Sequence, residues 1–160
     1  MLTMRKGAYF VLALIVIVGG IYFFTRDNVP AGTLPLNAQG PVTLFKSMSC
    51  GCCGAYADWL QRKGVEMNVV NSADMESVRN NYGIPVSMRS CHTTIYGDYF
   101  VEGHIPIEAV KKLLREKPDI KGIAMPGMPS GSPGMPGAKQ ELFIIYAVQQ
   151  DGSTSEFMRI

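Results

Sequence analysis

Three of the chain's four cysteines fall within four positions, Cys50-Gly51-Cys52-Cys53, inside the stretch Ser47-Met48-Ser49-Cys50-Gly51-Cys52-Cys53-Gly54. A small apolar thiol has no packing reason to recur at that spacing. Thiolates are soft metal ligands and nucleophiles, so the stretch points to metal binding or redox chemistry. Neighbouring Cα atoms stand about 3.8 Å apart, below the roughly 4.4–6.8 Å that a disulfide spans, so a Cys52–Cys53 bond would be strained. Cys50 and Cys53 form a C-x-x-C pair, but a plain redox motif has no use for the cysteine inside it. Three sulfurs converging on one point suit a metal better than a disulfide.

Other donors are few. Cys91 is the fourth cysteine, and with Cys50, Cys52 and Cys53 it completes a set of four thiolates. Four sulfurs satisfy tetrahedral zinc and equally suit copper(I), alone or as a small cluster. His92 and His104 are the only histidines, and each is a candidate nitrogen ligand. Against this, alternation on a strand would turn His92 away from Cys91, and His104, ahead of a helix, can simply bond to backbone. Met125, Met128 and Met135 are each followed by proline in an irregular stretch. Thioethers bind copper(I) and ignore zinc or magnesium, which tilts the metal towards copper; the plainer reading is a loop whose methionines cover an apolar patch. Met48 is read as core or as support behind the ligands. No phosphate-cradling glycine loop, H-E-x-x-H or serine elbow is present, and no catalytic residue is assigned.

These side chains need elements to hold them. Val42 to Phe45 reads as a buried strand. Tyr56, Trp59 and Leu60 recur at helical spacing, and Gly64 closes that helix. The motif therefore sits on a strand-to-helix turn, where a helix amino terminus favours thiolates. Met67 to Val70 reads as a second strand. Asn71 or Ser72 caps a helix carrying Met75, Val78 and Tyr82, which stops at Gly83. Thr93 to Tyr96 and Tyr99 to Val101 flank Gly97-Asp98, a hairpin signal. Pro106 opens a third helix with Ile107, Val110, Leu113 and Leu114. Residues 122–139 read as a long irregular loop, followed by a hairpin from Leu142–Val148 and Thr154–Met158. Strand, helix, strand, helix, hairpin, helix is the thioredoxin-like order, so an α/β, thioredoxin-like fold with an extra C-terminal β-hairpin is expected.

The amino terminus sets the compartment. Arg5-Lys6 precede an uncharged run from Gly7 to Phe24, 18 residues that as a helix reach about 27 Å. Residues 1–26 are read as a transmembrane anchor or signal segment, 27–41 as a linker and 42–160 as the metal-binding domain. Positive charge before the run places the domain outside the cytoplasm. Because Ile21-Tyr22-Phe23-Phe24 extend the run past Gly19-Gly20, an uncleaved single-pass anchor is preferred to a cleaved signal. In a bacterium this means the periplasmic side of the inner membrane, or the soluble periplasm after cleavage. A net charge of +2, scattered along the chain, gives no nucleic-acid surface.

Several segments together resemble the bacterial copper-resistance CopG family, long described as a domain of unknown function and unrelated to the plasmid repressor of that name. They are Cys50-Gly51-Cys52-Cys53-Gly54, Ser90-Cys91-His92-Thr93, Val101-Glu102-Gly103-His104-Ile105-Pro106, the run Gly127 to Met135, and Asp151-Gly152-Ser153-Thr154. The resemblance spans roughly residues 42–160. It implies a periplasmic, thioredoxin-like copper binder with copper at Cys50, Cys52, Cys53 and Cys91, on one ion or as a multinuclear cluster. It also implies a role in copper resistance, interconversion of copper(I) and copper(II), and copper-efflux or copper-chaperone partners. The anchor-like segment departs from a clearly cleavable signal. Two other functions fit the residues: a thiol-disulfide oxidoreductase using Cys50 and Cys53, and a structural zinc-binding interaction module.

Overall fold

A computed structural model describes Leu36 and residues 40–160. The expected anchor over residues 1–26 and most of the linker lie outside the described residues. Among the described residues no helix is long and apolar enough to cross a membrane. The described residues group as one compact unit.

The unit is a mixed α/β layer structure. Its elements are β1 (Val42–Lys46), α1 (Gly51–Arg62), β2 (Met67–Asn71), α2 (Met75–Asn81), β3 (His92–Tyr96), β4 (Tyr99–Glu102), α3 (Ile107–Glu116), β5 (Gly122–Ala124), β6 (Ile144–Val148) and β7 (Thr154–Arg159). The strands form one seven-stranded sheet in the order β2-β1-β3-β4-β5-β6-β7. β1 runs parallel to β2 and antiparallel to β3, and β4 runs antiparallel to β3 and parallel to β5.

Strand alternation divides the residues between two faces. Leu44, Thr94, Val101, Ile123 and Ala147 stand in one row across the sheet. Except for Thr94, they join the main core with Tyr56, Ala57 and Leu60 of α1 and Ile107, Val110, Leu113 and Leu114 of α3. Phe45, Thr93 and Glu102 are the neighbouring row on the opposite face. There the Phe45 ring lies 6.3 Å from that of Tyr82, at the end of α2, and Phe100, Ile84, Ala124 and Val148 form a smaller cluster. The metal-donor candidates and α1 thus belong to one side of the sheet, and α2 to the other.

Most expected elements are present with ends shifted by a residue or two, and three details differ. The cap of α2 is Asp74, not Asn71 or Ser72: its carboxylate accepts the Ser77 N–H at 2.9 Å, while Ser72 Oγ accepts the Asp74 N–H at 3.1 Å. Pro106 is the cap of α3 instead of its first residue. Gly122–Ala124, expected inside a loop, is strand β5. A Cβ at Gly122 would come within 2.6 Å of the Phe100 ring, so the glycine permits the close pairing of β5 with β4. The rest of the expected loop, from Met125, leads into the hairpin β6–β7 at the edge of the sheet.

Candidate metal centre

Cys50 occupies the cap position of α1, and Cys52 and Cys53 lie in its first turn. The turn is set by the Cys50 N–H donating to Ser47 O at 3.2 Å and the Gly54 N–H donating to Cys50 O at 3.4 Å. This winding brings the Cys50 and Cys53 Cα atoms to 5.4 Å, and the two sulfurs are joined as a disulfide. The sequence favoured a metal over a disulfide at this motif; the oxidised pair forms because a helical turn supplies the separation that adjacent residues lack. Cys52 and Cys91 are free, and Cys52 Sγ lies 3.6 Å from Cys50 Sγ.

Cys91 arrives from the bend ahead of β3. The Cys53 sulfur lies 3.6 Å from the Cys91 carbonyl oxygen, which places the bend against the first turn of α1. The sulfurs of Cys50, Cys52, Cys53 and Cys91 all fall within 4.8 Å of one another. A second group shares Cys91: its sulfur, with nitrogens of His92 and His104, also satisfies 4.8 Å. Cys91 Sγ stands 3.4 Å from His92 Nδ1 and 3.1 Å from His104 Nε2. The alternation that should have turned His92 away does not apply, because Cys91 precedes the strand and only His92 belongs to it.

The imidazoles are held from behind. His104 Nδ1 is 2.7 Å from the Pro133 carbonyl. A carbonyl can only accept, so Nδ1 carries the hydrogen and the Nε2 lone pair faces Cys91, the arrangement that orients a ligating histidine. His104 therefore makes the backbone bond expected of it while its Nε2 stands beside the Cys91 sulfur. Tyr56 lies under the pair, with ring centroids 4.5 Å from His92 and 5.4 Å from His104, and its hydroxyl donates to Ile105 O at 2.8 Å. His92 Nε2 is buried and has no hydrogen-bond partner.

Burial, followed by the neighbouring His104, pushes His92 down to about 3, and burial lowers His104 as well. Both rings are neutral near pH 7, the form that ligates a metal. Burial, then the Cys52 charge, pushes the Cys91 thiol up to about 11. A metal taking this sulfur must therefore displace its proton.

The low His92 value carries a stability consequence for the metal-free protein. Between pH 6.5, its ordinary value, and about 3, the unfolded chain binds a proton that the folded protein refuses. The stability this provides is complete above the ordinary value and is lost as pH falls, by roughly 2 kcal/mol at pH 5. Glu102, raised by burial, contributes in the opposite direction. Urea midpoints should therefore fall from pH 7 to pH 5, and His92→Gln should flatten the fall.

The three methionines of the irregular stretch separate. Met125 is buried in the main core, Met128 is 52% exposed and Met135 is half-buried. Met48, expected in the core or behind the ligands, is 79% exposed. The stretch itself is pinned by Ser132 Oγ donating to Pro129 O at 2.7 Å and by the Gly131 N–H donating to Pro136 O at 3.1 Å. It also lies against α1: Gly134 has φ +79, and a Cβ there would meet the backbone of Tyr56 at 2.7 Å. Gly134→Val should lift the loop, release His104 Nδ1 from Pro133, and weaken metal affinity by roughly 10-fold, the lower end for loss of an outer partner. A chelator competition on the reduced protein measures it. Sequence placed Tyr56 only on a helix stripe, and Pro133 and Gly134 only within the run from Gly127 to Met135; their support of the histidines arises from the packing of the loop against α1.

The donor set fits a soft metal. Once Cys50 and Cys53 are reduced, four thiolates and two neutral imidazoles converge, the chemistry of copper(I) or zinc and not of magnesium or calcium.

Comparison with solved structures finds two chains described as "Copper resistance protein copG", Form 1 and Form 2. Each is 36% identical to this chain with a TM-score of 0.70 and covers 75% of it. The matches take in 96% and 97% of those chains. Residues 88–135, which include Cys91, both histidines and the three loop methionines, match a family model described as "Protein of unknown function, DUF411". No curated protein matches the chain.

Proposed function

The chain belongs to the CopG copper-resistance family, and from that membership we propose that it binds copper(I) in the bacterial cell envelope through Cys50, Cys52, Cys53 and Cys91. The observation that carries the reading is the position of the Cys91 sulfur, common to the four-sulfur group and to the group with His92 and His104. A sulfur placed in both groups can bridge ions, which favours more than one copper per chain. Soft thiolates select copper(I), and the neutral imidazoles complete a mixed sulfur and nitrogen set. Met128 and Met135 are proposed as thioether contacts on the loop. Met125, inside the core, is left out of the ligand set.

The wider reading follows from the same residues. The order β2-β1-β3-β4 with helices on both faces supports a thioredoxin-like domain over residues 42–160, extended by β5 and a C-terminal hairpin. Residues 1–26 would hold it at the periplasmic side of the inner membrane, or direct it to the periplasm. Copper would be received from, or passed to, efflux or chaperone proteins, and interconversion of copper(I) and copper(II) would need a one-electron donor or acceptor among those partners.

Anaerobic titration of the reduced protein tests the proposal. Copper(I) should saturate at one or more equivalents and protect all four thiols from alkylation. Unprotected thiols at saturation would defeat it. The Cys50–Cys53 disulfide at a helix amino terminus favours one other reading, a thiol-disulfide oxidoreductase. Steady turnover of a disulfide substrate by the reduced, metal-free protein would support that reading instead.

A further inference from the structure

Ser90, directly before Cys91, is held at three points. Its N–H donates to Glu102 Oε1 at 2.6 Å, its carbonyl accepts from Arg79 Nη2 at 2.6 Å, and its hydroxyl donates to Gly127 O at 2.8 Å. The first two points belong to one ion pair, since Arg79 Nε donates to the same Glu102 oxygen at 3.3 Å. The other Glu102 oxygen accepts from Thr93 Oγ1 at 2.5 Å. Bonds to Glu102 thus bracket Cys91-His92, one residue before and one residue after.

The pair is deep: the Glu102 side chain is 0% exposed and that of Arg79 is 11% exposed. It lies on the sheet face opposite the imidazoles, and neither residue is among the converging donors. α2, which carries Arg79, contains no buried residue. A buried ion pair is weak evidence for stability, because apolar side chains of the same volume often hold a fold as well. What apolar packing cannot supply is direction. An acceptor for the Ser90 N–H and a donor for its carbonyl fix the plane of the chain entering Cys91, and so the direction of its Cα–Cβ bond.

We propose that Arg79 and Glu102 are positioning residues of the metal centre, whose ion pair aims the Cys91 sulfur so that it stands in both donor groups. The inference rests on the reading of Cys91 as a ligand, and goes beyond it by giving a role to two residues that touch no donor atom.

The test uses the full chain, reduced, with copper(I) presented by a chromophoric chelator. Glu102→Gln keeps the shape but removes the charge of the pair, and should lower copper(I) affinity roughly 10-fold, as loss of an outer partner does. The loss should vanish when Cys91→Ser is already present and persist in a Cys50→Ser background, a coupling that general destabilisation does not produce. An equal loss in both backgrounds, or none in the otherwise unaltered protein, overturns the proposal. Alkylation of the metal-free protein provides a readout independent of copper: the Cys91 rate should change severalfold while that of Cys52 stays constant. An unchanged Cys91 rate also overturns it. If the unaltered protein takes up no copper(I), the functional reading fails while the alkylation rates still decide the positioning role. Should circular dichroism show Glu102→Gln unfolded, Arg79→Lys takes its place, with the same outcomes deciding: it keeps the charge but loses the fork that reaches Glu102 and the Ser90 carbonyl together.

Discussion

Cys91→Ser should cost more copper(I) affinity than any other single cysteine substitution in the chain. The sulfur it removes is the one atom shared by both donor groups. Cys50→Ser leaves three sulfurs and the imidazole group complete, whereas Cys91→Ser reduces both groups at once. A serine hydroxyl is a hard donor that copper(I) accepts poorly, so the substitution does not replace the ligand. The loss should exceed the roughly 10- to 100-fold that follows from removing an outer partner. It should also lower the number of copper ions held, because the bridge between the groups is gone. Competition with a chromophoric chelator measures both quantities. Affinity within about threefold of the parent would exclude a central role for this sulfur.

Oxidation state should act as strongly. With Cys50 joined to Cys53, only Cys52 and Cys91 remain as free thiols. Disulfide sulfurs carry no charge and no proton to exchange, so the four-thiolate group is reduced to two. The oxidised protein should bind copper(I) at least 100-fold more weakly than the reduced one, beyond the outer-partner range. A dithiol reductant should restore uptake by delivering two electrons and two protons to the disulfide, with its own thiols oxidised to a disulfide in turn. Counting reactive thiols beside copper equivalents checks the claim: two thiols and weak uptake before reduction, four thiols and full uptake after it. Equal uptake in both states would remove Cys50 and Cys53 from the ligand set.

Local pattern carried much of the fold. Tyr56, Trp59 and Leu60 at helical spacing announced α1, Gly97-Asp98 announced the β3–β4 turn, and the apolar steps from Ile107 to Leu114 announced α3. Where pattern failed, either a choice among competing local bonds or a non-local pairing had decided. Asn71, Ser72 and Asp74 are all good cap formers within four positions, and only the bond from the Ser77 N–H selects Asp74. β5 is three residues long, begins with glycine, and is a strand because β4 and β6 flank it. Its identity lies in the pairing and leaves no period to read.

The site divides in the same way. Cysteine and histidine are rare and chemically distinct, so the donors could be named from type alone. Their orientation could not. His92 was expected to face away on a rule that holds only within a strand, and Met125 was grouped with two loop methionines although its side chain belongs to the core. The supports are the least legible part. Tyr56 reads as an ordinary core residue, and Arg79 and Glu102, 23 positions apart, stand at no informative spacing. Their roles arise from α2 and β4 meeting at Ser90.

X-ray absorption at the copper edge, on the reduced protein loaded with copper(I), reads the bound ligands themselves. Sulfur should dominate the first shell, with a smaller imidazole contribution that weakens in His104→Ala. A shell of oxygen and nitrogen without sulfur would contradict a thiolate copper centre at Cys50, Cys52, Cys53 and Cys91.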